Sequence, residues 1–258
     1  MCLITFAYNM HSSYSLVVAS NRDEFYGRPT ATAHFWEDHP VVLAGRDLQM
    51  MGTWMGVTKT GRFAAITNYR DPFAENKKVR SRGELVSDFL TSSIQPEDYM
   101  KEISARSQEY NGFNLIVADC SSLYYFSNRE EKIRKLDAGI YGLSNALLDT
   151  PWPKVEKSKK RLKECLESKG DIDEEALFQL LADERKAEVT ELPDTGIDHK
   201  LEHLLSSAFI QSQDYGTRTS TVVTITTEGH LSFRERTFMP ERKNIAFDFK
   251  IQDKATQF

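Results

Sequence analysis

The chain has 258 residues, 40% hydrophobic and 28% charged, the composition of an ordinary globular protein with length for one large domain or two small ones. With 38 acidic and 33 basic residues its net charge is −5, which excludes the broad basic field that nucleic-acid binding requires. No apolar run nears the roughly 18 residues of a membrane span, and the opening MCLITFAY lacks the charged start and long apolar stretch of a secretory leader; with three cysteines that cannot all pair in one chain, a reduced, cytoplasmic protein is expected.

Short strands are predicted first, at 3–8, 16–21, 41–47, 54–58 and 63–68, divided by turns rich in Ser, Gly and Pro. The apolar run that ends at Ala19 leads into Asn21-Arg22-Asp23-Glu24, which reads as the end of a buried strand and the turn after it. A basic stretch at 77–82 is either a solvated loop or an anion-binding edge. A helix is then predicted, with Ser81 as its cap, Glu84 three residues on, and Leu85, Val86, Phe89 and Leu90 on its apolar face. A second helix over 96–110 turns Tyr99, Met100 and Ile103 inward. Strands follow at 113–119 and 123–127, joined by Cys120-Ser121-Ser122.

Two further helices are predicted at 153–169 and 173–183, and 187–200 reads as a loop around Pro193 and Gly196. Strands at 219–226, 231–237 and 245–250 close the chain. Strands from both ends of the sequence flank two helix pairs, so the expected fold is a single α+β domain spanning 1–258. Its two stacked sheets are covered by helices.

Cys2 is the first residue with chemical potential. Its small side chain permits removal of Met1, which would expose an α-amine beside the thiol. With reference pKa values near 8 for the amine and 8.5 for the thiol, the amine can activate the sulfur without a histidine. Taken alone, Cys2 reads as a small hydrophobe in the first strand. In the NRDE cluster, Arg22 can steady a carboxylate or carbonyl and Asp23 can hold an ammonium or act as a base, the bland alternative being an ion-pair knot in a turn. Asn68 and Asn145 each end an apolar stretch and can donate to an oxyanion or simply close a turn. Arg218 starts a late strand. His199 and His203 are spaced i, i+4, but no cysteine or carboxylate motif accompanies them as a metal site. Together these residues describe a nucleophile at the extreme N-terminus with polar clusters at the mouths of other strands, the plan of an N-terminal-nucleophile (Ntn) hydrolase.

Met1-Cys2, Ala19-Ser20-Asn21-Arg22-Asp23-Glu24-Phe25-Tyr26, Gly52-Thr53-Trp54-Met55-Gly56, Arg82-Gly83-Glu84-Leu85-Val86, Tyr110-Asn111-Gly112-Phe113-Asn114-Leu115, Tyr141-Gly142-Leu143-Ser144-Asn145 and Tyr215-Gly216-Thr217-Arg218 closely resemble the NRDE family, whose animal members are named for transport and Golgi organisation. The likeness runs in order from residue 1 to about 240. It implies an Ntn-hydrolase-like four-layer αββα sandwich, more distantly similar to the cholylglycine hydrolase and penicillin V acylase group. Carried over by motif, Cys2 matches the nucleophile, Asp23 the carboxylate that orients the amine, Asn68 and Asn145 active-site asparagines, and Arg218 a late active-site arginine. Asn21, Arg22 and Tyr69 are the expected ligand-binding residues. The resemblance implies either hydrolysis of a small amide, with no cofactor or metal required, or carriage of haem or an acyl lipid.

Overall fold

Every strand pairing is antiparallel, and the pairings divide into a six-stranded and a seven-stranded sheet. The computed structural model describes residues 2–72, 80–167 and 170–252. In chain order the strands and helices are β1 (Cys2–Tyr8), β2 (Tyr14–Phe25), β3 (Thr30–Phe35), β4 (Val42–Asp47), β5 (Met55–Thr58), β6 (Phe63–Asn68), α1 (Gly83–Thr91), α2 (Pro96–Ala105), β7 (Phe113–Ala118), β8 (Leu123–Ser127), β9 (Arg134–Lys135), β10 (Gly139–Leu143), α3 (Pro153–Leu166), α4 (Glu174–Leu181), α5 (His199–Leu204), β11 (Tyr215–Thr226), β12 (His230–Thr237) and β13 (Lys243–Lys250). One sheet runs β10-β1-β2-β11-β12-β13 and the other β3-β4-β5-β6-β7-β8-β9.

Strand alternation sorts the core into three layers. Ile4, Phe6, Leu16 and Val18, with Phe233 of the same sheet, turn toward the second sheet, where they meet Val57, Phe63 and Ile116. Ala7, Val17 and Ala19 turn the other way, onto Leu162, Leu177 and Leu181 of α3 and α4. On the far side, Leu85, Val86 and Phe89 of α1 and Tyr99, Met100 and Ile103 of α2 cover Ala64, Leu115 and Val117. The expected αββα sandwich is therefore the observed architecture. Among the described residues, no helix is long and apolar enough to cross a membrane.

The structure departs from the expected elements where the site lies. β2 does not stop at residue 21; it continues through Arg22, Asp23 and Glu24 to Phe25. β11 starts at Tyr215, four residues earlier than expected, and pairs Tyr215 with Phe25, Gly216 with Glu24 and Thr217 with Asp23. Asn, Asp and Glu are poor strand formers, but here β1 and β11 flank Asn21 and Arg22, and β11 continues the ladder past Asp23 and Glu24. Ser81 is not the cap of α1: the cap position is Arg82, in a helical conformation and without a side-chain cap bond, while Glu84 binds Arg80. α2 ends at Ala105 and is followed by a 3-10 turn, Ser107–Glu109. β3, β9, β10 and α5 are additional elements, the last capped by the Asp198 carboxylate, which accepts from the Lys200 and Leu201 amides. Residues 77–79 of the basic stretch lie outside the described residues.

Candidate active site

β2 is enclosed between β1 and β11, which puts Cys2 directly opposite Arg22 in the β1/β2 ladder. Directly paired residues share a face, so both side chains point between the two sheets with Ile4 and Val18. They emerge in a cleft of about 370 Å³, lined also by Asp23, Glu24, Trp54, Asn68 and Arg82. Arg22 is only 6% exposed. Its guanidinium lies over the Trp54 ring, 4.2 Å from the centroid, and its Nη2 stands 4.0 Å from Glu24 Oε2. Its Nη1 has no hydrogen-bond partner among the described residues.

Trp54 itself depends on a glycine. A Cβ on buried Gly45 would fall 2.3 Å from the tip of the Trp54 ring, so Gly45→Ala must displace the ring that supports Arg22. An overpacking loss of about 1–3 kcal/mol is expected by urea unfolding, together with altered near-ultraviolet dichroism from the shifted tryptophan.

Asp23 belongs to the opposite face of β2, yet its position beside Cys2 makes it part of the same site. Thr217 Oγ1 donates to its carboxylate at 2.7 Å, and the Tyr215 hydroxyl donates to its carbonyl at 3.2 Å. Burial raises the Asp23 carboxyl, with Lys154, Thr217 and Arg22 acting in the opposite direction. The Cys2 thiol is likewise pushed up by burial and by the Asp23 charge, against a hydrogen bond from the Asp23 backbone N–H and the Arg22 charge. Lys154, on α3, is buried with its Nζ donating to Leu205 O at 2.9 Å, and burial lowers it to about 8. Asp23 and Cys2 are among the groups that favour its charged form.

The segment after β10 ties Cys2 to the second sheet. Ser144 Oγ donates to the Cys2 carbonyl at 2.9 Å, and Asn145 Nδ2 donates to the Asn68 carbonyl at 2.8 Å. The Arg70 amide returns a bond to the Asn145 carbonyl at 2.7 Å. Of the residues expected at the site, Cys2, Arg22, Asp23 and Asn68 line the cleft. Asn145 stands behind Asn68 as a positioning group.

Asn21, Tyr69 and Arg218 do not line the cleft. Asn21 points to the helix side because it neighbours Arg22 in a strand; its amide donates to Leu181 O and Ala208 O, each at 2.8 Å, and its carbonyl accepts from Ser220. Arg218 is the extra residue of a β-bulge between Thr217 and Thr219. The bulge turns its guanidinium to the carbonyls of Phe25 and Arg28, where it secures the turn beyond β2. Tyr69 joins β6 to the Gly112 carbonyl through its amide.

Sequence reasoning assigned no role at the site to Trp54, Arg82, Lys154 or the buried Arg70–Glu202 pair. Trp54 and Arg82 stood within the family motifs, so a signal existed for them. Lys154 and Glu202 carried none, because each acts through a fold contact with a remote segment. Among the described residues, no three His, Cys, Asp or Glu side chains gather to hold a metal ion.

Glu235 on β12 bridges the sheets, accepting from the Ala33 amide at 2.8 Å. It is 1% exposed, and burial raises its carboxyl from 4.5 to about 7 despite the nearby Arg22. The native state therefore binds more protons than the unfolded chain between these values, so stability falls as pH rises through that window and stays lower above it. Glu235→Gln is expected to match the parent near pH 4.5 and to be more stable at pH 8 by about 3 kcal/mol, from 2.5 pKa units at 1.36 kcal/mol each. Urea unfolding at the two pH values checks the divergence.

With this architecture the chain has an Ntn-hydrolase-type fold. It aligns with a conjugated bile acid hydrolase from Clostridium perfringens, solved as its C2A mutant, at TM-score 0.53 and 9% identity over 98% of this chain and 97% of that one. It also aligns with the N-acylethanolamine-hydrolyzing acid amidase ortholog of Caenorhabditis elegans at TM-score 0.50 and 11% identity, covering 86% of this chain and 92% of that one. The chain belongs to the Transport and Golgi organisation 2 family, whose model matches residues 1–240. It is 38% identical to the Transport and Golgi organization protein 2 homologs of Bos taurus, over 98% of this chain and all of that protein, and of Homo sapiens, over 93% and 94%. Identity to the Drosophila melanogaster Transport and Golgi organization protein 2 is 27%, over 92% of each.

Proposed function

We propose that this protein is a cysteine-dependent amidohydrolase acting on a small molecule. The observation that carries the reading is the Cys2–Arg22 cross-strand pair, opening with Asp23 and Asn68 into one cleft. Removal of Met1 would free the Cys2 amine. That amine takes the Sγ proton as the thiolate attacks the amide carbonyl carbon, and Asn68 donates to the oxyanion that forms. The tetrahedral adduct collapses with cleavage of the carbon–nitrogen bond, the leaving nitrogen taking the proton from the α-ammonium. Water, deprotonated by the same amine, then attacks the thioester carbonyl, and the departing sulfur recovers the proton. Asp23 holds the ammonium form in place between these steps. The names of the two solved neighbours, an amidase and a conjugated bile acid hydrolase, agree with this class of reaction.

Intact-mass analysis of protein from cells, before and after treatment with a thiol-reactive β-lactone, tests the proposal. A chain lacking Met1 with a single adduct on Cys2 is the expected result. Fully retained Met1 would leave an amide nitrogen in place of the base and overturn it.

A second reading, a carrier of haem or an acyl lipid, draws on a separate cavity of about 470 Å³. Phe178, Phe209 and Phe238 give it an aromatic lining, with Arg236, Arg242 and Lys243 as cations. Such a site suits an apolar body with an anionic head. Titration with haem and with acyl-CoA should then give saturable spectral or thermal shifts, and the absence of both removes this reading.

A further inference from the structure

We propose that the substrate of the Cys2 cleft carries a carboxylate or phosphate group, held by Arg22 and Arg82 beside the scissile amide. This deepens the amidohydrolase reading and rests on it. The cleft wall holds four arginines, at 22, 28, 80 and 82, against Asp23, Glu24 and Asp47. Arg28 is neutralised by Asp47 at 2.5 Å, and Arg80 by Glu84 and Glu109, also at 2.5 Å. Asp23 is bound on its own side by Thr217.

Among the carboxylates lining the cleft, that leaves the partly buried Glu24 to face Arg22 and Arg82; its Oε1 accepts from the Phe25 amide at 2.9 Å and its Oε2 stands 4.0 Å from Arg22, while buried Glu235 acts on Arg22 from outside the lining. Arg82 makes a hydrogen bond only to a neutral acceptor among the described residues, the Gly112 carbonyl at 3.0 Å. Arg22 has the stronger requirement. It is 6% exposed, clamped on Trp54, and its Nη1 has no partner among the described residues. A buried guanidinium N–H without an acceptor is costly, and a planar oxyanion is the group its fork fits best. Ser81, Arg82 and Gly83 also bring the N-terminal turn of α1 to the cleft wall, which adds a partial positive charge on the same side. Cys2 and Arg22 face each other in the ladder, so an anion on Arg22 sits within one small molecule's length of the sulfur. The apolar part of the lining is small, restricted to Met50, Trp54 and Ile66, so the anion is carried on a compact body.

A pair of alkylating reagents of nearly equal size reads this without any turnover. Iodoacetate carries a carboxylate and iodoacetamide does not; a free thiolate prefers the uncharged reagent. Cys120, exposed beside Asp119, serves as the internal reference in the same molecule. Rates at the two cysteines are measured by peptide mass spectrometry at about pH 8.5, near the thiol's reference pKa. The iodoacetate-to-iodoacetamide rate ratio at Cys2 is expected to exceed that at Cys120 by about tenfold or more at low salt, as cationic clefts accelerate anion encounter. It should fall toward the Cys120 value in Arg22→Gln and in Arg82→Gln, and be retained in Arg82→Lys. Arg82 is less buried than Arg22, so its variants keep the test open if Arg22→Gln fails to fold. Protection of Cys2 from iodoacetamide by inorganic phosphate or by succinate then identifies a phosphoryl or a carboxyl group. Equal ratios at the two cysteines, ratios unchanged by both Gln variants, or protection by neither anion overturns the proposal. If the ratios hold while the lactone forms no adduct, the anion site stands and the hydrolase reading fails.

Discussion

Cys2→Ala is expected to abolish turnover of any amide substrate, by a factor of at least about 10³, while stability changes by no more than about 1 kcal/mol. The asymmetry follows from position. Cys2 is the first residue of an edge-proximal ladder and only partly buried, and it contributes its sulfur to the cleft rather than to the apolar core. Its backbone bonds to β2 survive the substitution, and alanine also permits removal of Met1. What disappears is the atom that attacks the carbonyl in the proposed reaction. Chain that retains Met1 should be as inactive as the variant, because its residue 2 has an amide nitrogen in place of the amine. Rates with a chromogenic amide, read beside urea unfolding curves, give both quantities from one preparation. Turnover undiminished in Cys2→Ala would end the hydrolase reading.

Glu202→Ala is expected to be the most destabilising of the substitutions considered, at about 3–5 kcal/mol. Glu202 and Arg70 form an ion pair whose side chains are 2% and 9% exposed. Arg70 also stacks on Trp152, 4.7 Å from its ring centroid, and Thr195 donates to the same carboxylate. Removing the carboxylate leaves a guanidinium in a dry site, whose charge burial disfavours already. The damage should reach the cleft, since the Arg70 backbone amide holds Asn145 and Asn145 holds Asn68. Unfolding free energies from urea titration measure the first effect and Cys2 labelling rates the second. Replacing both partners together, as Arg70→Met with Glu202→Leu, should recover most of the stability, because the two desolvated charges then leave the interior together. A loss under about 1 kcal/mol in Glu202→Ala would show that the pair does not hold this region.

The strands with clean apolar patterns were legible from the chain alone: β1, β6 and β8 were predicted within a residue of their bounds. So were the faces of α1 and α2, whose i, i+3, i+4 positions are the buried ones. The NRDE cluster was picked out as chemistry, but its strand was ended at Asn21, four residues short of Phe25. Local propensity argues against a strand of Asn, Arg, Asp and Glu, and the ladders from β1 and β11 that override it join segments about 20 and 195 residues away.

That difference decides what each residue of the cluster does. With the strand ended at Asn21, nothing fixes which way Arg22 and Asp23 face. Read as a strand in register with Cys2, Arg22 must face the cleft and Asn21 must face α4, and a slip of one residue would exchange them. The sequence by itself determined the two sheets with their covering helices, the N-terminal position of the thiol and the polar character of its surroundings, since these follow from hydrophobic period and residue type; the four-layer count came with the family resemblance. Only the tertiary structure decided which polar groups meet: Trp54 beneath Arg22, Lys154 within the field of Asp23, and Arg82 in the same cleft as Cys2. Those meetings arise from packing between two sheets and a helix, and hydrophobic periodicity carries no information about partners so distant along the chain.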